Sequence, residues 1–416
     1  MTEKKIRLGV VGAKRGMDFA RIAPDVGAEV VALCETNEKT LANAAKRLEG
    51  VTTYTDFDKF IEHEMDGVVL ANFFHQHVPL ALKALAAGIH VMSETSACKT
   101  LGEGVALARA VEKSKKIYLF AENYPYFRYN QEMRRLYQQG AIGEIQYGEG
   151  EYVHPGPIEW RLSISPGFNH WRNHNPATYY CTHAMGPLMF ITGLRPVSVN
   201  ALCIPRPLNA GLGVGRGDVA SVILCRMSNE SVVRLIGVGL RGHGNWYRIH
   251  GTRGLMENLR VGNQDMLRVR HEPWEMREGE VEEQIYLPNF PEGTEEFARK
   301  AGHGGGDYFT MREFAKAIRT GETPYLDVYK GIDMSIVGIQ GYRSALANGA
   351  PVEIPDFRNE EVRKKYENDD WSPFPEDRRP GQPWPSIRGE VKLTPEAIEY
   401  ARKIWGIGPD DPGGQP

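Results

Sequence analysis

Over the first 125 residues, short apolar runs alternate with stretches that read as helices. Residues 6–11, 29–34, 66–71, 89–92 and 117–121 are the apolar runs, and 18–23, 38–48, 78–87 and 103–113 lie between them. Strands alternating with helices at this spacing predict an α/β fold built on a parallel, doubly wound sheet. After Gly140 the rhythm changes. Residues 145–152 alternate, 220–226 and 232–240 carry sheet-like apolar patterns, and 246–251 form a further strand and turn. Two helical stretches, 308–319 and 325–347, return the chain to the sheet. The tail contains two proline-rich pieces, then a run from Thr394 to Trp405 with Thr394 as N-cap and Pro395 in the first turn. Its aromatic residues predict that it packs on its own domain or on a neighbouring subunit.

Ligands of open α/β sheets sit beyond the carboxyl ends of the strands. The strand 89–92 ends in Glu94, Thr95 and Ser96, which would face such a ligand. The first strand runs into Gly12-Ala13-Lys14-Arg15-Gly16 before a helix, so free N–H groups point at the turn and form an anion site. The G-x-G-x-x-G dinucleotide fingerprint is imperfect: Lys14 replaces the second glycine and Gly16 comes one residue early. Glu35 closes the second strand nineteen residues after Gly16. A carboxylate there accepts hydrogen bonds from the adenosine ribose and repels a 2′-phosphate, favouring NAD over NADP. The alternative is that Glu35 caps the helix that follows, and it could do both. His75 and His77 follow Asn72 at another strand end, but no third ligand type accompanies them and no metal is expected.

Composition narrows the class. At 416 residues two domains are expected. A net charge of −3, without Lys/Arg-rich blocks, offers no footprint for nucleic acid. No run of about 18 apolar residues predicts a membrane span, and the start is too short in apolar residues for a signal-peptide core. Five scattered cysteines without C-x-x-C suit reduced thiols in a cytoplasm.

The motifs, taken in order, resemble the glucose–fructose oxidoreductase / inositol dehydrogenase / MocA family. They are Gly9 to Gly16, Glu35, His77-x-x-x-Ala81, Ala87-Gly88-x-His90-Val91-x-x-Glu94, Glu122-Asn123-Tyr124, Gly140-x-Ile142-Gly143, His183, Gly251-Thr-x-Gly254 and Pro351-Val-x-Ile-Pro355. The resemblance implies an N-terminal Rossmann domain (1–125), then a C-terminal α+β domain (126–355) for substrate binding and oligomerisation. The second domain would carry an open, mostly antiparallel sheet that forms a homodimer or homotetramer face. Residues 356–416 are then a proline-rich extension outside the family core. It implies NAD contacts at Gly12, Ala13, Lys14, Arg15, Gly16, Glu35, Asn72, His77, Glu94, Thr95 and Asn123. Ordinary dehydrogenases of the family carry Glu-Lys-Pro after the central strand and an Asp-x-x-x-His pair. Here Thr95 stands at the lysine, Ser96 at the proline and Tyr179 at the aspartate, while Glu94 and His183 are kept. Threonine cannot cycle a proton near neutrality. Lys99, four residues on, is the alternative carrier.

Residues 155–180 form a long loop rich in Pro, Asn, His, Trp and Arg, of the kind that carries function. Its aromatics with Arg and Asn suit a sugar ring, and an interface role is the alternative. Tyr180 and His183, three apart at a helix start, can approach one bound group. With Trp171-Arg172 and His303-Gly-Gly-Gly-Asp307, the pattern resembles the family's redox-neutral branch, the NAD-dependent α-N-acetylgalactosaminidases and related glycosidases. That branch implies hydride removal at a ring carbon, most often C3, then proton removal at C2, elimination, water addition and hydride return. Tyr180 or His183 would be the base, with Tyr179 beside them. A phenol ionises only near pH 10 in water, so a nearby cation is needed: Arg172, His183 or the nicotinamide. Substrate contacts are expected at His154, Trp171, Arg172, His303 and Asp307. A plain sugar or polyol dehydrogenase and a non-catalytic NAD sensor are the alternatives.

Overall fold

The computed structural model describes residues 4–207 and 211–415. Six strands, β1 (Ile6–Val11), β2 (Ala28–Cys34), β3 (Thr52–Tyr54), β4 (Gly67–Leu70), β5 (His90–Ser93) and β6 (Tyr118–Phe120), form one sheet in the order β3-β2-β1-β4-β5-β6. Every pairing in it is parallel. Helices on both faces bury β4 and β6 completely, which is why these strands read as unbroken apolar runs. The strand order reverses between β1 and β4, opening a crevice at their carboxyl ends.

Nine strands make the second sheet: β7 (Ile145–Val153), β8 (Pro196–Ile204), β9 (Ala220–Met227), β10 (Val232–Val238), β11 (Gly244–Gly251), β12 (Gly254–Asn258), β13 (Leu267–His271), β14 (Glu283–Tyr286) and β15 (Val352–Glu353). Their order is β14-β13-β12-β11-β7-β10-β9-β8-β15, antiparallel except where β7 meets β10. The helices Thr182–Thr192 and Val328–Leu346 cover one face. The other face is open. Arg234 bonds Glu149 and Glu151 there at 2.8 and 2.9 Å, and Arg248 and Arg268 share Glu257. Leu202 and Leu224 stand exposed on the same sheet.

The two sheets share one continuous apolar core. Phe314, on the helix Gly306–Thr320, reaches the first sheet: a Cβ built on Gly67 would lie 3.1 Å from its ring. The C-terminal segment also packs inward. Phe374 is fully buried, with its ring 5.3 Å from that of Phe74 and 6.0 Å from that of Tyr179. The last long helix, Pro395–Trp405, is capped by Thr394 Oγ1, which accepts the Ala397 N–H. It lies against the loop 155–180 through a small separate core of Leu162, Phe168, Val214, Ala397 and Ala401.

Candidate active site

Gly12 closes β1 with φ at 92°, and a Cβ there would sit 2.4 Å from the Ala71 carbonyl at the end of β4. Only glycine lets the turn press into the crevice this closely. A Cβ on Gly16 would meet Val10 at 2.5 Å, so this glycine still permits close helix–strand packing although it comes one residue early. Glu35 does not cap the following helix. Asn37 does, its Oδ1 accepting the Thr40 N–H, while Glu35 accepts the N–H groups of Ala13 and Asn37 at 3.0 Å. The carboxylate thus sits at the turn. Asn72 Oδ1 and Asn123 Oδ1 are buried beside the strand ends without a hydrogen-bond partner. Lys14 is exposed.

His77 departs from the expected ligand contact. It is 1% exposed, with Nδ1 facing the Ser96 carbonyl at 3.1 Å and Nε2 facing the Asn72 carbonyl at 3.3 Å. Burial pulls its pKa down, and a neutral ring can donate to only one of the two. It braces the segments after β4 and β5. The peptide between Thr95 and Ser96 is cis.

Arg15 ties the turn after β1 to the segment after β5 and to the start of the helix Gly306–Thr320. Its Nε donates to Glu94 at 2.6 Å, and its other nitrogens donate to Asp307 at 2.6 and 2.8 Å. Asp307 is 0% exposed and also accepts from Asn123 Nδ2 at 2.8 Å and His303 Nδ1 at 3.0 Å. Burial pushes its carboxyl up, but the Arg15 and His303 hydrogen bonds outweigh this and hold it well below the usual carboxylate range. For His303 burial pulls down, and the Asp307 hydrogen bond wins and raises it. Both Asp307 oxygens are therefore already engaged, which corrects the expectation of a free sugar-hydroxyl acceptor. His303, with 41% of its side chain exposed, keeps its other nitrogen for a ligand.

Tyr180 and His183 come together, as their spacing implies, with ring centres 5.5 Å apart. Arg172 Nη1 donates to the Tyr180 hydroxyl at 3.2 Å, and its guanidinium lies 4.4 Å over the Trp171 ring. His183 stacks on Tyr124 at 4.4 Å and meets the edge of Tyr152, which stacks on Tyr180 at 5.8 Å. His183 Nδ1 donates to both oxygens of Glu122, at 2.7 and 2.9 Å. Glu122, fully buried just past the end of β6, is the partner the sequence reading passed over. Its place beyond a strand's carboxyl end was the available signal. This carboxylate fixes the proton on Nδ1 and leaves Nε2 as the free base.

Tyr179 does not share in this arrangement. It is buried, its hydroxyl donates to the Lys99 carbonyl at 3.5 Å, and burial pushes its phenol far up, so it packs, keeps its proton and takes no part in proton transfer. Lys99 is equally committed, donating to Asp377 at 2.6 Å and Glu376 at 3.3 Å in the C-terminal segment. His154 stacks on Trp160 at 5.5 Å, at the outer side of Tyr152. A cavity of 10 Å³, about the room of one water, lies between Thr95, Ser96, Trp171 and Tyr180. Among the described residues no three His, Cys, Asp or Glu side chains gather as metal ligands.

Residues 6–122 match the family model described as "Oxidoreductase family, NAD-binding Rossmann fold". Residues 206–364 match "Glycosyl hydrolase 109, C-terminal domain". The chain belongs to the Gfo/Idh/MocA family. It is an enzyme of that family with an NAD-binding Rossmann domain, and the Gly12 cradle, Glu35 and the unpartnered Asn72 and Asn123 oxygens fit the dinucleotide. A glycosyl hydrolase family 109 protein of Shewanella baltica is 23% identical, the match covering 85% of each chain. An α-N-acetylgalactosaminidase of Tannerella forsythia is 26% identical over 80% of this chain and 81% of that one. Levoglucosan dehydrogenase, solved with NADH and levoglucosan, shares the fold at a TM-score of 0.70 and 22% identity, covering 84% of this chain and 100% of that one.

Proposed function

We propose that the protein cleaves a glycoside without net redox change, through transient oxidation of the sugar ring. The observation that carries this reading is the pairing of Tyr180 with Arg172 and of His183 with Glu122 where a lysine relay is absent. NAD, when bound, supplies the hydride acceptor and the returning donor, held by the Gly12–Gly16 turn, Glu35, Asn72, Glu94, Thr95 and Asn123. His183 Nε2 takes the proton of the ring hydroxyl being oxidised, and Glu122 stabilises the imidazolium that results. A ketone acidifies the neighbouring C–H. Tyr180, with Arg172 donating to its oxygen, removes that proton, and the anomeric group leaves by elimination. Water then adds at the anomeric carbon, its proton going to the departing alkoxide, Tyr180 returns its proton to the ring, and His183 returns its own to the carbonyl oxygen as the ketone is reduced. His154, Trp171 and the free nitrogen of His303 are the remaining sugar contacts.

The plain dehydrogenase reading would use His183 in the same way but leaves Tyr180 with Arg172 without a task, and Lys99 is held by two carboxylates. We place the functional division at residues 125 and 355, with the open face of the second sheet as the homodimer or homotetramer surface. Five buried free thiols favour a cytoplasmic setting.

The test is release of the aryl group from a panel of aryl glycosides, followed together with absorbance at 340 nm. Aryl release without accumulating NADH is the expected result, and Tyr180→Phe should lower it at least 100-fold. Steady NADH growth on free sugars, or full turnover by Tyr180→Phe, would overturn the proposal.

A further inference from the structure

Three arginines stand around the Tyr180 cleft without a carboxylate partner, and a fourth, Arg206, lines a separate pocket with Gly215, Glu390 and Lys392. Arg161 donates only to the His154 carbonyl, at 2.7 Å, and lies 5.4 Å over the Trp160 ring. Arg172 touches the Tyr180 hydroxyl and the Trp171 face. Arg206 has a buried Nε with no hydrogen-bond partner. Arg241 is exposed on the loop between β10 and β11, beside His243, whose ring is 5.0 Å from that of His154. Among the described residues no Asp or Glu comes within ion-pair distance of any of the four.

Shortage of acids does not explain this, since the chain carries 53 acidic against 50 basic residues. On the open face of the second sheet Arg234, Arg248 and Arg268 are each matched by glutamates. Around Tyr180 the groups acting on the Arg161 charge are instead two phenols, Tyr152 and Tyr180, and two more arginines, Arg172 and Arg241. Arg161 in turn acts on Arg206. The single carboxylate that acts on Arg206, Asp218, is already taken by the Ser386 hydroxyl and the Ile387 N–H. Burial opposes the charge of both Arg161 and Arg206; no carboxylate acts on Arg161, and Asp218 alone acts on Arg206. Arg172 alone reaches the Tyr180 oxygen, so the proton chemistry leaves Arg161 and Arg241 without a task. Guanidinium forks held in this way recruit carboxylate, sulfate or phosphate oxygens from a ligand.

We propose that the sugar bound in this cleft is anionic, carrying a carboxylate or a sulfate or phosphate ester that Arg161 and Arg241 receive. The inference rests on the carbohydrate reading of the site and adds the substrate's charge class to it.

Calorimetric titration of the NAD-loaded enzyme with matched sugars tests it: glucose against glucuronate, galactose against galacturonate, and N-acetylgalactosamine against its 6-sulfate. In 20 mM salt at least one acid should bind tenfold or more tightly than its neutral twin, and the advantage should shrink at 200 mM. Which acid responds separates carboxylate from sulfate. Arg161→Met should lower affinity for the acid more than for the neutral twin, and so should Arg241→Met, whose exposed side chain makes no bond that folding needs. Equal binding of the twins, binding of no acid, or an unchanged advantage in both variants would overturn the inference. Cleavage of neutral aryl glycosides without charge preference would sink this inference and leave the cleavage reading standing. A clear charge preference with neither aryl release nor NADH would do the reverse.

Discussion

Lys99 Nζ donates to Asp377 Oδ2 across 278 positions of sequence, at 2.6 Å. The lysine nearest the missing relay position is thereby an anchor for the C-terminal segment, with only 11% of its side chain exposed. Replacing it with methionine leaves Asp377 and Glu376 without their cation and should cost about 1–3 kcal/mol. Thermal melting and turnover, measured on the same Lys99→Met sample, separate the roles. A lower melting temperature with turnover kept within about threefold is expected. Loss of turnover at an unchanged melting temperature would return Lys99 to the chemistry.

Glu122 holds the proton on His183 Nδ1, so Glu122→Gln keeps the shape while allowing the wrong tautomer. By analogy with carboxylate-to-amide changes behind other catalytic histidines, turnover should fall about 10³- to 10⁴-fold. KM should change little, because Glu122 is fully buried and touches no substrate. Steady-state kinetics of the variant decide the point, and a variant within tenfold of the parent would remove Glu122 from the mechanism.

The Arg15–Asp307–His303 network should make stability depend on pH from both sides. Asp307 titrates lower folded than unfolded, so its contribution is present above about pH 4 and lost as the pH falls below that. His303 titrates higher folded than unfolded. Its contribution is complete below about pH 6.5 and lost as the pH rises past its raised value. Melting temperatures between pH 3 and 9 should flatten on both limbs in Asp307→Asn and on the alkaline limb in His303→Gln. An unchanged alkaline limb in His303→Gln would contradict this assignment.

Trp405 fastens the tail helix to the substrate loop. Its Nε1 donates to the Leu162 carbonyl at 2.8 Å, and its ring meets Phe168 edge-on at 4.9 Å. Tyr400 adds a bond to Glu159 at 2.6 Å. Trp405→Ala should raise KM for the sugar several-fold and speed proteolysis within 155–180, with NAD affinity unaltered. Limited digestion followed by mass spectrometry shows whether that loop is the segment released.

The parallel sheet, the Gly12 turn and several strands of the second sheet could be read from local patterns, whereas that sheet's mostly antiparallel order came with the family resemblance. A buried parallel strand must be apolar on both faces, and a turn pressed against a strand end must be glycine. Glu94 beyond β5 and the Tyr180–His183 spacing were legible for the same reason, since each depends on a few consecutive residues. Glu35 stood as an alternative cap for the helix after β2 because it and Asn37 are both short-range acceptors, and only backbone direction chooses between them.

What the chain order could not decide is which charges meet. Arg15 reaches Asp307 across 292 positions, His183 reaches Glu122 across 61, and Lys99 is claimed by the tail. His303 and Asp307 looked alike as sugar contacts, yet packing engaged both oxygens of one and left the other a free nitrogen. By itself the sequence determined the family, the two sheets and the turn that fits NAD, because those rest on short-range sterics and hydrophobic period. Only the tertiary structure decided which titratable groups are spent on holding the domains together and which remain free for chemistry. Ion pairs and buried hydrogen bonds form wherever docking brings side chains within about 3 Å, and no local pattern records that distance.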